Sequence, residues 1–238
     1  MRLGFIGTGT IASAVVQGLA DQDHAITVSE RGAAQSRALA ARFDTVRVAA
    51  NQAVIDSSDT VFVALLPDAA PDILRALVFR ADQVVISFMA GIGLAQLAPL
   101  IAPARAAAIM LPFPGIARGG SPILVLGDRA PVDALFGPRN QVFAMRDAAE
   151  LDAFLCAQAV LSPAAALVGT AAEWLARRGY QGEEFLRHLV GSSLLDSPTA
   201  PLLDALNTAG GYNQRLRHHM DQAGQPQTLL GGLDALEG

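Results

Sequence analysis

The stretch LGFIGTGTIASA near the start of the chain constrains the fold more than any other. An apolar strand, Leu3 to Ile6, leads directly into Gly7-Thr8-Gly9, and a helical pattern begins at about Ile11. In a G-x-G-x-x-A turn the first glycine permits the tight bend and the second lets a pyrophosphate approach the backbone. The third residue, here Ala12, is small and allows the helix to pack closely against the strand. The helix N-terminus then faces the anion. The pattern predicts a dinucleotide site formed by Gly7, Thr8, Gly9, Thr10 and Ile11.

A second predicted strand, AITVSER, ends with an acidic residue followed by a basic one. Glu30 lies about twenty residues after the glycines, where a carboxylate accepts the ribose hydroxyls of NAD. Arg31, with Ser29 and Arg37 nearby, is suited instead to the 2'-phosphate of NADP. We take both Glu30 and Arg31 as candidate cofactor contacts, and the sequence leaves the choice between NAD and NADP open.

Further strands are predicted at residues 45–49, 60–67 and 83–88, with helical patterns between them. This alternation is typical of a doubly wound parallel sheet, whose ligands bind outside the carboxyl ends of the strands. The turns after these strands therefore belong to the same crevice as the glycine turn. They add four candidate cofactor contacts: Leu66, Pro67, Ala90 and Gly91.

The pattern changes near Arg146, and from Ala148 onward only helices are predicted. We therefore predict an α/β protein, with an NAD(P)-binding Rossmann domain over residues 1–147 and an all-helical dimerisation and substrate domain over residues 148–238. Several of these helices are apolar over most of their circumference, and such helices usually pack against a second subunit. The expected partner is a second copy of the chain, bound through its C-terminal helices.

Composition excludes several classes of function. The net charge is −5 and the arginines are scattered, so nucleic acid is not an expected partner. Lysine is absent, which excludes a lysine Schiff base. The single cysteine, Cys156, lies in an apolar run and is expected to be a buried structural thiol, and the histidines show no zinc-ligand spacing. No metal site is predicted, and a reducing cytoplasm is the expected compartment.

Two segments resemble membrane or targeting signals. The N-terminus has Arg2 followed by an apolar run, but its glycine spacing argues against a signal peptide. The segment Gln83 to Ala104 is uncharged over a length that spans a bilayer, yet it contains the β-branched VVISF, a glycine break, and Pro99 and Pro103. It is better interpreted as strand, turn and helix, so no membrane association is expected.

Five stretches carry a family resemblance when they are taken in chain order: GFIGTGTIASAVVQGL, VVISFMAGIGLAQL, MLPFPGIARGGSPILV, LFGPRNQVFAMRDAAELDA and TAGGYNQRLRHHMDQAG. Together they resemble the pyrroline-5-carboxylate reductase family over nearly the whole chain. The resemblance implies a Rossmann domain that binds NAD(P)H, a helical domain that intertwines two subunits, and a substrate pocket between the domains. It also implies hydride delivery to a cyclic C=N bond of a small molecule.

The last of these stretches supplies the candidate catalytic residues. The family has Pro-Gly-Gly-Thr-Thr here, a glycine turn into a helix whose hydroxyls line the pocket, and this chain has Ala209-Gly210-Gly211-Tyr212-Asn213 at the same place. The resemblance therefore implies that Tyr212 and Asn213 orient or protonate the substrate. The alternative is that Gly210 and Gly211 only cap helices and that Tyr212 packs.

The chain also departs from the family's pattern. The family's loop that receives the substrate carboxylate on backbone amides falls near residues 161–167, where Ser162 is the one hydroxyl and no glycine occurs before Gly169. The family's Met-Pro-Asn is Leu111-Pro112-Phe113 here, which makes the pocket more apolar. The expected activity is thus NAD(P)H-dependent reduction of a less acidic imine or carbonyl compound.

Two other functions are compatible with the same motifs. One is a catalytically silent dinucleotide-binding protein that has kept the glycine turn. The other is a hydroxy-acid dehydrogenase, because the two-domain plan is shared widely and fold alone does not fix chemistry. Such dehydrogenases usually need a lysine or histidine base, and the absence of lysine disfavours this function.

Overall fold

The computed structural model describes residues 1–237, and the chain divides into two compact units, Met1–Leu151 and Asp152–Gly238. The first unit is built on one eight-stranded sheet. Its strands are β1 (Arg2–Ile6), β2 (Ala25–Ser29), β3 (Val46–Ala49), β4 (Thr60–Val63), β5 (Val84–Ser87), β6 (Arg105–Pro112), β7 (Pro122–Gly127) and β8 (Gln141–Met145).

The strand order is β3-β2-β1-β4-β5-β6-β7-β8, and the first six strands of that order run parallel. This confirms the predicted doubly wound sheet. β7 is antiparallel to β6, since a short loop joins them, and β8 pairs parallel with β7. The sequence did not predict β8. It is an edge strand whose residues, except Met145, are not buried, so it lacks the apolar pattern of the inner strands.

Helices cover both faces of this sheet, and alternate strand residues contact different cores. On β4, Val61 and Val63 belong to one buried cluster while Phe62 belongs to the other, as expected from the two-residue period of a strand. The helices are α1 (Thr10–Leu19), α2 (Ala33–Arg42), α3 (Asn51–Asp56), α4 (Ala70–Arg75), α5 (Leu94–Leu97), α6 (Ala130–Phe136) and α7 (Ala148–Ala157), the last of which extends into the second unit.

The second unit, as far as residue 237, contains helices and no strand, which confirms the predicted helical C-terminal region. None of its described residues is buried, and large apolar side chains such as Trp174, Phe185 and Leu195 are exposed. It therefore has no hydrophobic core of its own. Its helices, after α7, are α8 (Leu161–Ala176), α9 (Glu183–Asp196), α10 (Thr199–Ala205), α11 (Tyr212–Gln222) and α12 (Gln225–Glu237).

One helical stretch is long and apolar enough to cross a membrane by length and composition alone. It is Ala148–Ala176, which comprises α7, a 3₁₀ turn and α8. A helix that packs inside a soluble assembly passes the same test, so this single stretch is weak evidence for a membrane. The segment considered from sequence, Gln83 to Ala104, forms β5, the short α5 and a 3₁₀ turn, as predicted.

Helix α1 packs tightly on the loop between β6 and β7. Gly18 lies against a 3₁₀ turn, Pro114–Ala117, and a Cβ atom at Gly18 would lie 2.7 Å from the carbonyl oxygen of Ile116. This close approach holds the N-terminal helix against the end of β6.

Gly18→Ala is therefore expected to lower the free energy of unfolding by about 1–3 kcal/mol, the usual cost of overpacking. Helix propensity alone predicts the opposite, a gain of about 1 kcal/mol. Urea unfolding followed by circular dichroism measures the difference. Gln17→Ala, in the same helix but half-buried, is the control and is expected to change stability by less than about 0.5 kcal/mol. A stabilised Gly18→Ala variant would contradict the close contact.

Candidate cofactor-binding cleft

The turn after β1 requires glycine at one position and leaves open space at another. Gly7 has φ of +92°, and a Cβ atom there would overlap the carbonyl oxygen of Ala64. Gly9 is the N-cap of α1 with φ of −85°, and a Cβ atom there would contact nothing within 4 Å. The fold thus needs Gly7, while the space above Gly9 is free for a ligand to approach the backbone.

The same turn is attached to the end of β2 by two hydrogen bonds to one buried residue. The backbone N–H of Gly7 donates to Ser29 Oγ at 2.8 Å, and Thr8 Oγ1 donates to the Ser29 carbonyl at 3.1 Å. Gly32 lies close on the other side, with φ of +85°, and a Cβ atom there would overlap the Thr8 carbonyl oxygen. The glycine turn and the β2–α2 loop therefore hold each other in place.

The N-terminus of α1 can bind an anion. Its first turn has no acidic residue, and no side chain caps it. The first N–H groups of a helix have no partner within the helix, and the helix dipole adds positive potential at the same end. Because these groups lie next to Gly9, a phosphate is the ligand best matched to them.

Two adjacent cavities meet at Gly9, Ala64 and Leu65, and we call them together the cleft. The first, about 210 Å³, extends toward the β2–α2 loop and is also lined by Gly7, Thr8, Arg31, Gly32, Gln35 and Leu66. The second, about 300 Å³, extends toward β5 and β6 and is also lined by Thr10, Ile11, Ala12, Phe88, Leu111 and Pro112. The cleft thus lies at the carboxyl ends of the central parallel strands, as the topology predicted.

Charge and polarity differ between the two cavities. Among the described residues that line the cleft, Arg31 has the only charged side chain, and it belongs to the first cavity. The second cavity is mostly apolar. Its Phe88 ring is supported from the core, since it lies 5.4 Å from the ring of Phe62, which stacks on Phe5 at 4.6 Å. The first cavity is suited to an anionic ligand and the second to a flat, less polar group.

Ion pairs at the opposite ends of the parallel strands lie away from the cleft. Arg2 pairs with Asp59, and Arg105 Nη1 lies 2.8 Å from Asp128 Oδ2. The hydrogen bond from each arginine is the main cause that lowers the pKa of its partner carboxylate.

Within residues 1–237, no group of three or more His, Cys, Asp or Glu side chains is placed to hold a metal ion. Cys156, expected to be buried, is only partly buried.

The structure brings most of the predicted cofactor residues to the cleft, but not all. Seven line it, namely Gly7, Thr8, Gly9, Thr10, Ile11, Arg31 and Leu66. Glu30, Pro67, Ala90 and Gly91 are exposed and do not line it. The loops that carry Pro67 and Gly91 contact each other, since a Cβ atom at Gly91 would lie 3.3 Å from Pro67 Cγ.

Several lining residues were not among the sequence candidates: Gly32, Gln35, Ala64 and Phe88. Of these, Gly32 had a usable signal, because a glycine between a strand end and a helix indicates a left-handed turn. Ala64 and Phe88 directly follow β4 and β5, so the exact ends of these strands would have been needed to find them.

The candidate catalytic pair lies at the start of α11, in the second unit. Gly211 is its N-cap, and Gly210 has φ of +73° with its N–H donating to Gln214 Oε1 at 2.8 Å. The two glycines therefore form the helix start. Tyr212 is 90% exposed and Asn213 is exposed, so the Tyr212 ring is not packed within this chain. Their role in catalysis stays a prediction.

The region that corresponds to the family's carboxylate-binding loop is helical. After α7 the chain forms a 3₁₀ turn, Gln158–Val160, and α8 begins at once at Leu161. Backbone N–H groups within a helix are engaged in its own hydrogen bonds, so this segment offers no open loop of amides. Ser162 lies on its exposed surface.

Comparison with known proteins agrees with these features. Residues 2–91 match the family model described as NADP oxidoreductase, coenzyme F420-dependent. Pyrroline-5-carboxylate reductase from Pseudomonas aeruginosa is 29% identical over 126 residues, which is 50% of this chain and 46% of that enzyme. The matching region thus spans slightly less than half of the curated relative.

Solved structures extend the likeness to the whole fold. Pyrroline-5-carboxylate reductase from Streptococcus pyogenes has a TM-score of 0.81 at 21% identity, covering 100% of this chain and 96% of that one. A reductive aminase from Aspergillus terreus, in complex with NADPH and ethyl levulinate, has a TM-score of 0.60 at 23% identity, covering 93% and 78%. The chain therefore has the fold of the pyrroline-5-carboxylate reductases and shares local sequence with them, which confirms the resemblance to that family predicted from its motifs.

Proposed function

We propose that this protein is a reductase that uses NADPH to deliver hydride to the C=N bond of a small, uncharged substrate. The observation that carries the proposal is the cleft at the carboxyl ends of the central strands. It combines open space above Gly9, the uncapped N-terminus of α1 and one positive charge, Arg31. A dinucleotide needs these features for its phosphates.

The lining residues indicate which part of the cofactor each cavity would hold. Gly9 and the start of α1 would hold the pyrophosphate, the cavity of Arg31 would hold the adenosine half, and the apolar cavity of Phe88 and Leu111 would hold the nicotinamide. When bound, the cofactor supplies the hydride. NADPH is favoured over NADH because Arg31 lines the cavity and Glu30 does not.

Two features of the chain support the substrate class that we propose. Residues 161–167 form helix rather than an amide-lined loop, and the cavity of Phe88, Leu111 and Pro112 is apolar. A substrate carboxylate would lose its hydration there without gaining partners, which is unfavourable. A neutral imine does not incur this cost, so it is preferred over pyrroline-5-carboxylate.

NADPH binding is expected to be at least about tenfold tighter than NADH binding, as for other single charge-assisted contacts. Cofactor fluorescence measures both affinities. Addition of 1-pyrroline to the NADPH complex is then expected to oxidise it faster than pyrroline-5-carboxylate does.

Gly9→Ala is expected to abolish cofactor binding without lowering the melting temperature, because its Cβ contacts no protein atom within 4 Å.

A silent dinucleotide-binding protein is the second candidate. It is favoured by one observation: among the described residues that line the cleft, no carboxylate, histidine, cysteine or tyrosine is present to transfer a proton. NADPH binding without oxidation by any cyclic imine or ketone would support it over the reductase. No binding of either dinucleotide would overturn both.

Tyr212 is the residue we propose as proton donor, and Asn213 orients the substrate beside it. Tyr212→Phe is expected to lower kcat about 100-fold while the Kd for NADPH stays unchanged. Steady-state kinetics and cofactor fluorescence check the two values. Tyr180→Phe is the matched control, since Tyr180 is also exposed in the second unit, and it should keep full activity. Equal kcat for wild type and Tyr212→Phe would refute the proton-donor role.

We also propose a cytoplasmic homodimer formed through the helical unit. No residue of the helical unit up to residue 237 is buried, so its exposed apolar side chains need a covering surface, and a second copy of the chain would supply it. The same partner covers the apolar stretch Ala148–Ala176, so no membrane is required.

Sedimentation is expected to give about twice the 24.7 kDa chain mass. Leu195→Glu should dissociate or unfold the dimer, because Leu195 is 91% exposed in one chain and a buried charge there has no partner. Val78→Glu is the control: Val78 is 72% exposed in the first unit, and this variant should stay dimeric. A stable wild-type monomer would contradict the proposal.

A further inference from the structure

Ser29 connects two walls of the first cavity. It is fully buried at the end of β2, its hydroxyl accepts the N–H of Gly7 at 2.8 Å, and its carbonyl accepts Thr8 Oγ1 at 3.1 Å. Gly7 and Thr8 form one wall of this cavity, which would face the pyrophosphate of the proposed cofactor. Arg31, two residues after Ser29, belongs to the other wall, which would face the adenosine ribose.

A second contact also holds the two walls together. Gly32 fits against Thr8 only because it lacks a side chain, since a Cβ atom would overlap the Thr8 carbonyl oxygen. Arg31 itself makes no ion pair with the described residues and is exposed, so its backbone, rather than a partner, fixes where its guanidinium can reach. The spacing between the glycine turn and Arg31 therefore depends on two contacts, the fit of Gly32 against Thr8 and the hydrogen bonds of Ser29.

We infer that Ser29 is a positioning residue that sets the distance between the glycine turn and Arg31, and thereby the preference for a 2'-phosphate over a 2'-hydroxyl. The inference rests on the proposed dinucleotide binding. NADPH must contact both walls at once, whereas NADH depends much less on Arg31. Loss of the Ser29 hydroxyl leaves the buried N–H of Gly7 without its acceptor, and the turn shifts or loosens to find another.

A second buried serine provides the matched control. Ser58 is also fully buried, and its hydroxyl donates to the Val54 carbonyl at 2.6 Å. It lies just before β4, at the end of the sheet away from the cleft. Ser58→Ala therefore removes the same group from an equally buried place without touching either wall.

The experiment is a double-mutant cycle read by cofactor fluorescence, with NADPH and NADH as probes. Ser29→Ala is expected to weaken NADPH binding about tenfold and NADH binding much less, so the ratio of the two affinities falls. Arg31→Ala removes most of the preference by itself. In the Arg31→Ala background, Ser29→Ala should then weaken NADPH and NADH equally, because the positioned group is gone. Ser58→Ala should leave the ratio at its wild-type value.

Thr8→Val serves if Ser29→Ala does not fold, since it removes the second hydrogen bond to Ser29 and keeps the side-chain shape. It should lower the same ratio. An unchanged ratio in the variant that folds, or additive effects of Ser29→Ala and Arg31→Ala on NADPH, would overturn the inference. If the wild type binds neither dinucleotide, the proposed function itself fails and the inference fails with it.

Discussion

The first unit depends on one close approach at the centre of its sheet. The backbone of Gly7 passes so near the carbonyl of Ala64 that no side chain fits, and a φ of +92° turns the chain from β1 toward α1. Because β1 lies between β2 and β4, this turn fixes the position of α1 over the middle of the sheet. The free helix N-terminus, the space above Gly9 and the meeting point of both cavities all follow from it.

Much of this unit could be predicted from sequence, because its strands and helices alternate and each has a clear period. The direction of β7 and the existence of β8 could not, since edge strands such as β8 are half-exposed and carry a weak pattern. The choice between Glu30 and Arg31 could not be made either. Consecutive side chains at a strand end point to different sides, and only the turn into α2 decides which of them faces the cleft.

The second unit shows a different limit of sequence reasoning. Its helices were predictable from their composition, and their apolar surfaces pointed to a partner. The contacts of Tyr212 and Asn213 could not be predicted. A helix start fixes the position of the backbone, but it does not determine what two exposed side chains contact. The surface of a second chain would supply those contacts. The proposed roles of Tyr212 and Asn213 therefore depend on the proposed dimer.

The composition of the cleft also bears on where the proton of the proposed reduction comes from. Its described lining residues include no acid strong enough to protonate a substrate, and the Thr8 hydroxyl is already donated to Ser29. A carbonyl needs a proton donor as hydride arrives, since an alkoxide would otherwise form in an apolar cavity. A neutral imine needs a donor as well, because hydride addition without protonation would leave an anion on its nitrogen. A cleft of this composition would therefore hold the cofactor without supplying the proton, so the proposed reductase depends on a donor outside the lining residues, the role proposed for Tyr212.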